Sequence, residues 1–218
     1  MNGYNSEIER IKTLLQTKEL PGLKQQLKMA PATRLAEIKK SQSSLEHTSS
    51  TTIIPKKSAV LVLLYPKNNK IHTVLMVRPS DNSVHSGQIS FPGGKVEKSD
   101  LSMSHTALRE AHEEVGVVPN TVELIGSLTK LYIPPSNFDV YPIVGVTHDA
   151  PKFITNQEVY KLLEVDLDTL LSKDTLGYKT ITHRDGNEFI VPCFHIQDEI
   201  VWGATAMILS EFMDVICN

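Results

Sequence analysis

The sequence has few of the features that mark secreted, membrane-spanning or disulfide-stabilised proteins. Only two of the 218 residues are cysteine, Cys193 and Cys217, and they show no metal-ligand spacing. Two thiols require no disulfide and are compatible with a reducing compartment. The longest apolar run, residues 59–65, is far too short to span a bilayer. The N-terminus lacks a charged segment followed by an apolar one, so we expect no signal peptide and a cytoplasmic protein.

An excess of basic charge is also missing. The formal net charge is −3 and the sequence pI is about 6.2, whereas general nucleic-acid binders carry a basic surface. We therefore expect neither a nucleic-acid partner nor a membrane partner. Hydrophobic residues make up 40% of the chain, which is enough for a substantial core. The length suits one domain, or one domain with an appendage.

The chain divides by composition into three parts. Residues 1–40 carry apolar side chains at helical spacing, and we predict a helical extension packed on the main domain. Residues 41–57 are largely polar and are predicted to form a linker or loop. Residues 58–218 are predicted to form the main domain, because 40 helical residues make a poor independent core.

Strand and helix patterns in the main domain do not alternate strictly. Residues 58–65 are continuously apolar and β-branched, and a turn over residues 66–70 leads to a partner strand over 71–78. Further strands are predicted at 88–91, 122–132, 138–147, 163–165, 177–182 and 189–194, and helices at 102–115, 167–171 and 202–217. This order favours an α/β fold with a mixed sheet between helices, an α/β/α sandwich.

Three glutamates mark the region of chemical interest. Glu110, Glu113 and Glu114 stand at i, i+3 and i+4, where side chains of a helix share one face. Such an arrangement is either a solvated acidic surface or a site for a cation. Hard ions such as Mg²⁺ bind through one or two carboxylates together with substrate phosphates.

The residues around these glutamates favour the cation site. Gly93 and Gly94 permit a tight turn and close approach of the backbone to a ligand. Asp100 is expected to be structural, capping the start of the helix, and Gly116 is expected to end it. Arg109 can hold a helix carboxylate with its guanidinium fork, or it can form an ordinary surface ion pair.

With these residues in place, the sequence resembles the Nudix hydrolase family. The family box reads G-x5-E-x7-R-E-U-x-E-E-x-G-U, where U is apolar. The matching residues are Gly94, Arg109, Glu110, Ala111, Glu113, Glu114, Gly116 and Val117. Asp100 stands where the general pattern has Glu, and eight residues rather than seven separate it from Arg109. Both departures are similar to the variant in the coenzyme A pyrophosphatase branch.

Residues upstream and downstream of the box resemble the same branch. Arg78, His85 and Gly87 match its signature, whereas Ser83 stands in place of an arginine. Downstream, the segments beginning at Pro135 and Trp202 are also similar, and the first contains Ser136. Arg78 can bind a phosphate or form a structural ion pair, and His85 can bind substrate or fix its loop.

The resemblance implies a Mg²⁺- or Mn²⁺-dependent hydrolase of a nucleoside diphosphate derivative. The implied metal ligands are Glu110, Glu114 and Glu113, which with Arg109 also form the catalytic set. The candidate substrate-binding residues are Arg78, His85, Gly93, Gly94 and Ser136.

Within that class, coenzyme A or acyl-CoA is the first expectation, giving 4′-phosphopantetheine, or its acyl form, and adenosine 3′,5′-bisphosphate. The alternatives are hydrolysis of ADP-ribose, NADH or a related dinucleotide, and a non-catalytic Nudix-fold module that senses or binds a nucleotide. The expected partner is a small nucleotide, and a homodimer is possible.

Overall fold

The computed structural model describes residues 2–32, 35, 54–79, 87–182, 186 and 188–217. The strands are β1 (Lys56–Lys67), β2 (Lys70–Val77), β3 (Ile89–Ser90), β4 (Gly93–Lys95), β5 (Glu123–Ser127), β6 (Leu131–Ile133), β7 (Phe138–Val146), β8 (Lys161–Asp166), β9 (Leu176–Thr182), β10 (Glu188–Ile196) and β11 (Glu199–Trp202). The α-helices are α1 (Asn2–Thr17), α2 (Gly22–Gln26), α3 (Met103–Val115), α4 (Leu167–Leu171) and α5 (Gly203–Cys217). Within this part of the chain, no helix is long and apolar enough to cross a membrane.

The main sheet is mixed and is built around β1. Strand β1 pairs in parallel with β7 and antiparallel with β2 and β4. The main path of the sheet runs β3-β2-β1-β7-β5, while β8 pairs with β2 and β6 pairs with β7. Because β1 is flanked on both sides, it is apolar along most of its length, as fully covered strands are. A separate three-stranded sheet has the order β11-β10-β9.

Helices cover both faces of the main sheet. Alternate residues of β1 point to opposite faces: Val62 and Leu64 pack with the core under α1 and α5, whereas Leu61 and Leu63 pack with the core under α3. The α/β/α sandwich with a mixed sheet, predicted from the sequence, is therefore confirmed.

The N-terminal segment contributes directly to one of these cores. Ile8, Ile11 and Leu15 of α1 are buried in the same cluster as the apolar face of α5. Further along, the buried Gln26 donates a hydrogen bond of 2.7 Å to the carboxylate of Glu211 on α5. The predicted helical segment over residues 33–40 lies almost entirely outside the described residues.

The Ile11→Ala variant tests how much this segment stabilises the fold. Ile11 is fully buried, so truncation removes apolar contacts and leaves a cavity. We expect the free energy of unfolding to fall by about 2–5 kcal/mol in urea titrations. The exposed neighbour Glu9 provides the control, because Glu9→Ala should change that free energy by less than about 0.5 kcal/mol. Equal stability of the two variants would contradict a shared core.

Two predicted elements differ from the structure. The predicted strand over 122–132 is two strands, β5 and β6, which pair with different parts of β7. Trp202 belongs to β11, and α5 begins one residue later at Gly203. Strand β11 was missed because Gln197, rather than glycine, adopts the positive φ of 54° in the turn before it. Between β9 and β10 the structure describes only Gly186.

Candidate active site

Helix α3 is held at both ends by local signals. The Ser102 side chain accepts a hydrogen bond of 3.1 Å from the backbone N–H of His105, which makes Ser102 the N-cap. Gly116 ends the helix with a φ of 75°, a left-handed conformation that glycine adopts without strain. The expectation that Asp100 caps the helix was wrong, because the residue two positions later is the one at the helix start.

Asp100 instead holds Arg109 in place. Its fully buried carboxylate accepts bonds of 3.0 Å from both Nε and Nη2 of Arg109, and one of 2.9 Å from the hydroxyl of Thr106. The hydrogen bonds from Arg109 keep the pKa of Asp100 well below its usual range. A paired, fork-shaped contact of this kind fixes the guanidinium plane.

The oriented guanidinium then meets the acidic helix face. Its Nη1 lies 2.9 Å from Oε1 of Glu110 and 3.2 Å from Oε2 of Glu113. The side chain of Glu113 is 53% exposed, whereas that of Glu110 is 15% exposed. The three glutamates therefore differ: Glu113 faces solvent beside Arg109, and Glu110 is largely enclosed.

Glu114 is the most enclosed of the three and is tied to the glycine loop, which we define as residues 92–94. Gly93 and Gly94 were expected to form a tight turn, but in the structure they begin strand β4. Glu114 is only 2% exposed, and its Oε2 accepts a hydrogen bond of 2.8 Å from the backbone N–H of Gly93. Its other oxygen, Oε1, lies 3.5 Å from Nη2 of Arg78 at the end of β2. Strand, loop and helix thus meet at this carboxylate.

Because Gly94 has no side chain, the Glu110 carboxylate can pack directly against its backbone. A β-carbon added to Gly94 would lie 2.5 Å from both Cδ and Oε1 of Glu110, which is closer than real atoms approach. A side chain would not fit at the neighbouring Gly93 either, since an added β-carbon would lie 2.6 Å from the backbone Cα of Val60. Gly94 therefore allows helix α3 to approach β4, and Gly93 allows β4 to approach β1.

The Gly94→Ala variant should displace Glu110 while leaving the fold in place. The added methyl group must move the carboxylate, so we expect hydrolytic activity to fall by about 10-fold to 100-fold, as when groups that orient a metal ligand are lost. The matched control is Gly3→Ala, because a β-carbon there meets no atom within 4 Å. Steady-state rates and circular dichroism would be measured for both variants. Unchanged turnover in Gly94→Ala would contradict this placement of Glu110.

Charge is crowded on the enclosed side of the helix. Burial raises the pKa of Glu114 to about 7, and burial also raises the pKa of Glu110. Glu158, from the exposed loop before β8, adds charge repulsion that raises the pKa of both glutamates.

This donor set fits a divalent cation bound together with a substrate. Glu110 and Glu114 offer carboxylate oxygens that repel one another, and a cation between them would relieve that repulsion. In the described part of the chain, no three carboxylate, imidazole or thiolate groups converge into a complete metal cage. A two-carboxylate site matches Mg²⁺, which commonly completes its octahedron with water and substrate phosphates.

A cavity of about 320 Å³ opens beside the glycine loop. Its wall includes Arg78, Gly93 and Gly94 on one side and Ser136, from the turn before β7, on another. The first turn of α5 supplies a further wall. The volume lies at the small end of the usual range for ligand pockets.

The structure therefore brings together most of the predicted site residues. Glu110, Glu114, Arg109, Arg78, Gly93 and Gly94 form one continuous centre, and Ser136 borders the adjoining cavity. Glu113 lies at the edge of this centre, and His85 lies outside the described residues. Sequence reasoning missed Lys95, which borders the cavity. Its position directly after the paired glycines was the available signal.

Comparison with known proteins agrees with this geometry. The sequence model of the NUDIX domain family matches residues 55–172, more than half of the chain. The chain belongs to the Nudix family. It is 34% identical over 169 residues to the uncharacterized Nudix hydrolase NudL of Yersinia pestis (strain Pestoides F), an alignment covering 77% of this chain and 83% of that one. The NudL protein of Yersinia pseudotuberculosis serotype O:1b (strain IP 31758) gives the same values.

A solved structure shows the same Nudix fold. The MutT/nudix family protein from Enterococcus faecalis superposes with a TM-score of 0.50 at 16% identity, covering 97% of this chain and 74% of that one. Family and relatives identify the protein as a Nudix-type pyrophosphatase, a hydrolase of phosphoric anhydrides. Nudix hydrolases generally use divalent metal ions and act on small nucleotides.

Proposed function

We propose that this Nudix protein hydrolyses the pyrophosphate bond of coenzyme A or an acyl-CoA, using Mg²⁺ or Mn²⁺ bound at Glu110 and Glu114. Water adds to one phosphorus, one bridging P–O bond breaks, and a proton leaves to solvent. The products are 4′-phosphopantetheine, or its acyl form, and adenosine 3′,5′-bisphosphate. The observation that supports this best is that two enclosed carboxylates of α3 contact Gly93 and Gly94, and that these glycines border a largely apolar cavity.

A bound divalent ion would neutralise phosphate oxygens and lower the pKa of attacking water. The protein's own groups prepare that centre. The Gly93 N–H and Arg78 orient the Glu114 carboxylate, and Arg109, fixed by Asp100, orients Glu110.

The remaining charged groups have roles at the edge of this centre. Glu113 is proposed as a third carboxylate that orients water or completes the metal site on substrate binding, since its side chain is exposed at the edge of the site and is paired with Arg109. Glu158 is proposed to lie on the same side, because it raises the pKa of both enclosed glutamates. Arg78 and Lys95 border the cavity and are proposed to meet phosphate oxygens of the substrate.

A paired substrate assay tests the proposed reaction. The purified chain would be incubated separately with CoA and ADP-ribose in the presence of Mg²⁺ or Mn²⁺, and products would be resolved by chromatography. We expect adenosine 3′,5′-bisphosphate from CoA at a rate at least about tenfold above the release of AMP from ADP-ribose. Rapid cleavage of ADP-ribose with CoA intact would overturn the CoA assignment and leave the hydrolase centre standing.

A further inference from the structure

Aliphatic side chains predominate in the wall of the cavity beside the glycine loop. Aliphatic side chains from three separate elements border it, including Val60 of β1, Ile133 of β6 and Ile208 of α5. Its only charged lining residues within the described part of the chain are the cations Arg78 and Lys95. The cavity is therefore suited to an apolar group attached to an anionic one.

Each aromatic ring in the wall is buried or already has one contact within the protein. Phe91 is 1% exposed. The ammonium group of Lys56 lies 5.8 Å from the ring centroid of Phe138, and Trp202 packs edge-to-face against Phe189 with centroids 6.5 Å apart. An adenine base would have to stack on the remaining faces of Phe138 or Trp202, whereas aliphatic side chains line more of the wall. The wall therefore offers more packing to an aliphatic occupant.

One hydroxyl in the wall is buried without a partner. Ser90 Oγ has no hydrogen-bond partner among the residues that the structure describes, and Ser90 borders the cavity. Buried polar groups are normally satisfied. A rotation about the Cα–Cβ bond that turns this hydroxyl toward the cavity would let a ligand with a hydroxyl or amide close to its apolar group supply the missing partner.

The position of the cavity fixes which part of the substrate can reach it. Gly93 and Gly94 border the cavity, and the same glycines contact Glu114 and Glu110. A group in the cavity must therefore be joined to the pyrophosphate by a short link. A branched aliphatic alcohol esterified directly to phosphate, with its own hydroxyl and amide, meets these requirements.

We infer that this cavity binds the phosphopantetheine half of the substrate, and that Ala204 and Ser90 determine selectivity for it. The inference rests on the proposed function. Ala204 stands in the first turn of α5 and borders the cavity. The turn is anchored by the Thr205 hydroxyl, which donates a 2.7 Å hydrogen bond to the carbonyl of Ile89 on β3.

Separate binding of the two product halves tests the inference. Isothermal titration would measure 4′-phosphopantetheine and adenosine 3′,5′-bisphosphate against the wild type and Ala204→Phe. Filling the cavity should weaken binding of 4′-phosphopantetheine at least about tenfold, while binding of the adenosine bisphosphate changes less than about twofold. The matched control is Cys217→Phe, which adds bulk at the exposed end of the same helix and should change neither value.

A second variant covers the case in which Ala204→Phe fails to fold. Ser90→Ala removes the unpartnered hydroxyl without adding bulk, and it should weaken binding of 4′-phosphopantetheine about fivefold, the worth of one hydrogen bond. If these variants weaken the adenosine bisphosphate instead, or affect neither ligand, the inference is wrong. Hydrolysis of CoA by the wild type is measured in a separate assay. If CoA stays intact, the proposed function is wrong. If CoA is cleaved but the variants weaken binding of adenosine 3′,5′-bisphosphate and not of 4′-phosphopantetheine, only the cavity assignment is wrong.

Discussion

Glu114→Gln should lower kcat/KM for the pyrophosphate substrate by at least about 100-fold while the protein stays folded. The loss follows because the amide cannot supply the negative charge that a divalent ion needs. The fold is retained because the amide oxygen can still accept the 2.8 Å hydrogen bond from Gly93. Initial rates at saturating Mg²⁺ and a thermal melt in EDTA would measure the two effects.

The thermal melt in EDTA tests a second consequence of burying the Glu114 carboxylate. Burial disfavours the charge on Glu114 and raises its pKa to about 7. At pH 8 the ionised carboxylate therefore costs stability in the metal-free protein, and Glu114→Gln should melt at the same temperature as the wild type or higher.

Glu211 offers a matched control for loss of a buried carboxylate. It is fully buried and also accepts a backbone hydrogen bond, from Thr129 at 3.1 Å, but it lies on α5 away from the acidic helix face. Glu211→Gln should keep turnover within about threefold of the wild type. Comparable activity in Glu114→Gln would show that Glu114 is not a metal ligand.

Asp100→Asn should destabilise the protein by about 3 kcal/mol, because it replaces the buried carboxylate that accepts two charge-assisted hydrogen bonds from Arg109. The Asp100 side chain is fully buried, and that of Arg109 is 16% exposed. The same change frees the guanidinium that orients Glu110, so activity should also fall. Urea unfolding at neutral pH measures the first effect, and a wild-type midpoint would contradict it.

The loss of stability in Asp100→Asn should depend on pH in a direction that the pKa of Asp100 determines. The pKa of Asp100 is depressed in the folded protein, so its contribution is fully present above the pKa of an unfolded aspartate, about 4. It is lost as the pH falls below that value toward the folded pKa. The gap in unfolding free energy between wild type and Asp100→Asn should stay constant from about pH 8 to 5 and shrink below about pH 4. A gap that grew on acidification would contradict the ion pair.

The centre of the site could be predicted from the sequence because its geometry is local. Glu110 and Glu114 share a helix face through their spacing alone, and Gly116 ends that helix as expected. The fold class followed from the covered strand β1 and from strands and helices that mix without strict alternation. Arg78 also reached the site, although its pairing with Glu114 joins residues 36 positions apart.

The rest depends on distant contacts that no local pattern encodes. Spacing could not show that Glu113 would be exposed while Glu110 is enclosed, because that difference comes from packing against Gly94. Asp100 is structural as expected, but its pairing with Arg109 could not be predicted for the same reason, since Arg109 is nine residues away and beyond the first helical turn. The cavity wall from α5 required the tertiary contact between Thr205 and Ile89.

Anomalous diffraction from crystals soaked in Mn²⁺ tests the central claim most directly. The account predicts a peak in contact with carboxylate oxygens of both Glu110 and Glu114, beside Gly93 and Gly94, and its loss in Glu114→Gln crystals. A peak held by other residues, with these two carboxylates turned away from the ion, would contradict the account.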